Sequence, residues 1–115
     1  MNFNIFGNIK MEEEHKKQKA IEDALFFLVG KGNKYDLEHI LKNGVNISKE
    51  IWTRLIEISC ERNDDKMIRL LIKYRGIAYG EEPKITQEEK NVMKAWANYH
   101  GDDYPNLLSL LCDDI

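Results

Sequence analysis

The stretch ISCERNDDKMIRLL, Ile58 to Leu71, decides the fold. A polar run, Glu61 to Lys66, separates two apolar segments. In the second segment Met67, Leu70 and Leu71 have the i, i+3, i+4 spacing of one helix face. The same fourteen-residue pattern occurs at LVGKGNKYDLEHIL (Leu28–Leu41) and at NYHGDDYPNLLSLL (Asn98–Leu111). Leu37, Ile40 and Leu41, and then Leu107, Leu110 and Leu111, fill the equivalent positions. Another segment of helical period lies upstream of each copy. The chain therefore reads as all-α: three helix-turn-helix pairs stacked on one another.

Outward from the repeat, the punctuation is consistent with six helices. The first is expected from about Met11 to Val29, with Ile21, Ala24, Leu25 and Leu28 as its apolar face and Gly30 and Gly32 ending it. Its front half, EEEHKKQK, has no apolar stripe and is expected to project into water, supported by the four-apart pairs Glu12–Lys16 and Glu13–Lys17. The second helix is expected over Asp36–Lys42, with Asp36 as cap and Gly44 following. Ser48 caps a third, wide-faced and central helix that runs to about Arg62. Asp64 caps a fourth, closed by Arg75-Gly76. Gly76–Ile85 then reads as a loop containing Tyr79. Thr86 and Glu89 have the spacing of a capping box for a fifth helix, whose stripe is Val92, Trp96 and Tyr99. Pro105 opens the sixth. Residues 1–9, with Phe3, Ile5, Phe6 and Ile9 around a helix-breaking Gly7, read as an N-terminal arm; residues 10–115 read as a single helical domain.

Charge separates the classes of partner. The net charge of −3 is uneven: residues 77–115 carry three basic and eight acidic groups, a balance of 3 − 8 = −5. That end repels phosphate and suits a basic protein partner. No apolar run approaches the roughly eighteen residues of a membrane span, and MNFNIFGNIK lacks the basic and apolar regions of a secretory signal. Two cysteines, Cys60 and Cys112, are too few for a disulfide framework and read as small buried hydrophobes. The expectation is a cytoplasmic protein. Lys outnumbers Arg by 13 to 4, which points to an AT-rich coding sequence such as that of a low-GC bacterium, phage or mobile element.

Two of the copies carry a family resemblance. SCERNDDKMIRLLIKYRG, from Ser59, resembles the second half of an ankyrin repeat: a small residue ending one helix, a polar turn, apolar pairs, then a glycine. DLEHILKNGVNI, from Asp36, is similar to the same element. The Thr-Pro-Leu-His box that opens such repeats is replaced by Ser48-Lys49-Glu50-Ile51 and Thr86-Gln87-Glu88-Glu89. The spacing is 30 and then 40 residues, against about 33 in the family. The resemblance implies a small solenoid that presents first-helix residues and loop tips to another protein.

No motif for catalysis or cofactor binding is present, and the chain reads as non-enzymatic. His100 beside Asp102 and Asp103 is one histidine in a polar turn, short of the convergent ligands zinc requires. Asp64-Asp65 and Asp113-Asp114 lack the alternating oxygens of a calcium loop. Cys60 has no local base to generate thiolate. The alternative is a small helix-turn-helix nucleic-acid-binding regulator, using Lys66, Arg69, Lys73 and Arg75 as phosphate contacts; Asp64 and Asp65 oppose it. The sequence favours a protein-protein interaction module, of a size suited to a phage- or mobile-element-encoded inhibitor or adaptor. The expected interface is Val45, Asn46, Tyr79, Glu81 and Glu82 at the loop tips, with Lys49, Thr53 and Glu57 on the third helix. Self-association through residues 1–9 is a further possibility.

Overall fold

A computed structural model of the chain describes the backbone over residues 3–100 and 103–113, and the side chains over 12–100 and 103–112. Its helices are α1 (Phe3–Lys31), α2 (Lys34–Lys42), α3 (Lys49–Glu61), α4 (Asp65–Tyr79), α5 (Gln87–His100) and α6 (Pro105–Asp113). Successive helices pack as pairs, α1 on α2, α3 on α4 and α5 on α6. The pairs meet through like helices: α1 touches α3 and α3 touches α5, while α2 touches α4 and α4 touches α6. Among the described residues there is no strand.

Local chemistry sets most of the helix ends. Ser48 Oγ accepts from the Ile51 amide at 3.3 Å, and Asp64 Oδ1 from the Met67 amide at 3.2 Å. The α1–α2 and α3–α4 turns are built alike. Gly32 (φ +69°) and Asn63 (φ +53°) are left-handed, and the amides of Asn33 and Asp64 reach back five residues to the carbonyls of Leu28 and Ser59. Asn33, not Asp36, is therefore the cap of α2: its Oδ1 accepts from the Asp36 amide at 3.1 Å. The equivalent turns are 31 residues apart (33 to 64), one more than the apolar stripes imply. Polar contacts tie the turn tips together. Lys34 Nζ pairs with Asp64 at 2.9 Å, and Asn63 Oδ1 accepts from the Leu107 amide at 3.1 Å.

Three expectations are corrected. Helical backbone begins at Phe3 and passes through Gly7, and α4 passes through Gly76 to end at Tyr79. A glycine costs a helix interior only about 1 kcal/mol, which neighbouring residues offset. The inward faces of α1 and α5 are also turned from those expected. Leu25 and Val29 are fully buried while Ile21 is exposed; on α5 the buried residues are Glu89, Met93 and Ala97, and Tyr99 is exposed. The expected pairs Glu12–Lys16 and Glu13–Lys17 are open: among the described residues none of these four is in an ion pair.

The rotation of α5 follows from one buried interaction. Arg75 of α4 forks onto Glu89, Nη1 to Oε2 and Nη2 to Oε1, the latter at 2.8 Å. The two side chains are 10% and 2% exposed. Glu89 Oε1 also accepts from the Thr86 amide at 2.9 Å, and Thr86 Oγ1 from the Glu89 amide at 3.1 Å, so the capping box forms. Arg75 donates its remaining reach to the Lys84 carbonyl at 3.0 Å. Removing one partner leaves an unpaired buried charge. Arg75→Ala and Glu89→Ala are each expected to lose about 3–5 kcal/mol in urea unfolding. The double variant is expected to lose clearly less than the sum; strict additivity would show that the pair does not act as a unit.

Candidate functional site

A groove of about 390 Å³ lies between the start of α3 and the loop joining α4 to α5. Lys49 and Thr53, one turn apart on α3, form one wall; Glu81, Glu82, Lys84 and Thr86 form the other; Arg75, Gly76 and Ile85 lie between them. The loop closes on α4 because Gly80 ends that helix in the left-handed conformation (φ +63°). It then crosses Gly76 so closely that a Cβ there would sit 2.8 Å from the Glu81 carbonyl oxygen. Gly76 therefore does not terminate α4. It makes room for the wall of the groove.

The rim and the floor are held differently. Lys49 Nζ meets Glu81 Oε1 at 2.9 Å and lies 4.8 Å from the centre of the Tyr79 ring. Lys84 Nζ meets Glu82 Oε2 at 2.9 Å. The hydrogen bond from Lys84, and then its charge, hold the Glu82 carboxyl below its usual value. All four rim side chains are more than half exposed, and such pairs contribute little, about 0–1 kcal/mol. The floor is the Arg75–Glu89 fork. A ligand's charges can replace the rim pairs while the floor stays fixed.

The expected interface residues fall in different depressions of the surface. Lys49, Thr53, Glu81 and Glu82 line this groove, and Tyr79 adjoins it through Lys49. Tyr79 is the last residue of α4, not a loop tip, and its hydroxyl donates to the Ile47 carbonyl at 2.8 Å. Asn46 borders a recess against Gln18 and Glu22 of α1, its carbonyl accepting from Gln18 Nε2 at 2.6 Å. Val45 lines a small pocket of about 120 Å³ with Trp52, Tyr74 and Ile77. Glu57 belongs to a second groove, between α3 and α5, with Arg54, Ile58, Glu61, Val92 and Trp96. Sequence reasoning missed Lys84, Thr86 and Trp96. The capping-box spacing of Thr86 was a signal for the first two; nothing local turns Trp96 toward a groove.

Catalytic and metal-binding alternatives meet the same geometry. Among the described residues no three potential metal ligands come together. The His100 ring stacks between Trp96 and Tyr104, at centroid distances of 5.5 and 4.0 Å; Asp102 lies outside the described residues. Cys60 is fully buried, but Cys112, expected to be buried, is exposed. Burial, with Glu89 and Glu57 nearby, pushes the Cys60 thiol up to about 12, far from a nucleophilic thiolate. Arg75, one of four cations proposed to touch phosphate, is consumed inside the fold. Among the described residues no helix is long and apolar enough to cross a membrane. No protein-family model, characterised protein or solved structure matches the chain.

Three outcomes test this description. Iodoacetamide is expected to label Cys112 alone in the native protein and both cysteines in urea; fast native labelling of Cys60 would refute its burial. The raised Cys60 pKa also predicts that folding stability falls as pH rises between 9 and about 12, because the unfolded chain releases the proton and the folded one keeps it. Cys60→Ala is expected to flatten that slope. Gly76→Ala is expected to lose about 1–3 kcal/mol despite alanine's better helix propensity, since the Glu81–Pro83 backbone must move. A neutral or stabilising effect in thermal unfolding would contradict the close approach.

Proposed function

We propose that the chain is a non-catalytic protein-binding module, built as three stacked helix pairs of ankyrin-like character. The packing of first helices on first helices and second on second supports this reading, as do the matching turns at Gly32-Asn33 and Asn63-Asp64. Such a stack offers a shaped surface of first-helix residues and loops. The observation that carries the site is the pairing of a fixed floor with an exchangeable rim at the α3 and α4–α5 groove. A partner segment that brings one acid and one base can take over Lys49 and Glu82 at little cost, while the Thr53 and Ile85 side chains contact its uncharged part. The small residues and acids around Tyr79 extend the same ridge.

The test is affinity capture with the double variant Lys49→Glu, Glu82→Lys, checked by circular dichroism for an unchanged fold. Both residues are exposed, so stability is expected to change by less than about 1 kcal/mol. Partners retained by the wild type are expected to be lost by the variant. An identical captured set would remove this groove from the interface.

A further inference from the structure

Among the described residues, no second element covers the outward side of the first half of α1. Residues 12–17 are all exposed, as are Lys19 and Ala20. α1 packs on α2 and α3 through Leu25 and Val29, while Gln18 touches the α2–α3 loop. Helical spacing places Glu13, Lys16, Ala20, Asp23 and Phe27 on the opposite, outward face, with Glu12 and Lys17 at its borders. Phe27 there is 62% exposed, with Lys31 Nζ 5.8 Å from its ring centre. Asp23, also exposed, lies between Ala20 and Phe27 on this face, so the strip is charged along most of its length.

Over residues 12–17 the charges on this face are sorted. Glu12 and Glu13 come first, Lys16 and Lys17 follow one turn later, and among the described residues none of the four is in an ion pair. A second copy laid antiparallel, with a two-fold axis level with residues 14 and 15, brings Glu12 and Glu13 of each copy beside Lys16 and Lys17 of the other. A parallel copy in register would set acid against acid and base against base. The same two-fold lays residue 9 of the second copy level with Ala20, where the small side chain lets backbones approach.

We infer that the outward face of α1, centred on Glu12, Glu13, Lys16 and Lys17, is a docking surface for a second copy of this chain, pairing antiparallel across a two-fold axis. The occupant is fixed by self-complementary charge: the sorted acid and base blocks match themselves only when reversed. Dimerisation also stabilises a helix segment that is otherwise marginal in water. The α3 and α4–α5 groove takes no part in this surface, so the pairing does not depend on the proposed partner site.

The test uses the full chain in sedimentation equilibrium. Wild type is expected to form a dimer that weakens as salt rises. Two charge variants are compared, Glu12→Lys with Glu13→Lys, and Lys16→Glu with Lys17→Glu; circular dichroism checks that each stays folded. Each alone is expected to dimerise about tenfold more weakly or not at all, because like charges then face each other. Mixed in equal amounts, the two are expected to form a heterodimer. A monomeric wild type at high micromolar concentration, undiminished dimers of either variant, or no association on mixing would each overturn the proposal.

Discussion

The fork of Arg75 on Glu89 is the constraint on which the rest of the molecule depends. A buried ion pair repays its desolvation only when further hydrogen bonds support both groups, and here each has one beyond the pair itself. Glu89 receives two guanidinium nitrogens and the Thr86 amide, while Arg75 also reaches the Lys84 carbonyl. One interaction thereby joins α4, the following loop and the first turn of α5. It turns α5 so that Glu89, Met93 and Ala97 face inward. That rotation leaves Trp96 at the edge of the α3–α5 groove and Tyr99 in solvent. It also holds the loop against Gly76 and so creates the wall of the α3 and α4–α5 groove.

The turn tips form a second line of order. The left-handed residues Gly32 and Asn63 reverse the chain in the same way, and the caps Asn33 and Asp64 follow immediately. Lys34 bridges the first tip to the second, and Asn63 bridges the second to the start of α6. These contacts specify how one pair sits on the next, which apolar side chains alone do not. At the groove the logic is reversed. Rim charges are paired weakly and in water, while the ion pair beneath them is buried and fixed.

Much of this was readable along the chain. The stripes at Leu37, Met67 and Leu107 mark residues that are fully buried, and Ser48, Asp64, Thr86 and Pro105 begin helices where their chemistry says they do. Each is a signal within four residues of its effect. The errors are of another kind. Gly7 and Gly76 look like stops and are not, because a single glycine is a small penalty within a long helix. Arg75 looks like a surface cation because its partner lies fourteen residues away. The expected interface gathered residues by exposure and loop position, and the structure distributes them over four separate depressions.

The sequence by itself determined that the chain is helical, where most helices start, and which polar turns divide them, since hydrogen bonds between near neighbours settle those points. Only the tertiary structure decided which side of α1 and α5 turns inward, that Gly76 lies under a crossing backbone, and which exposed charges share a groove. Those outcomes depend on pairs such as Arg75 with Glu89 and Lys49 with Glu81, separated by 14 and 32 residues, whose meeting no local pattern encodes.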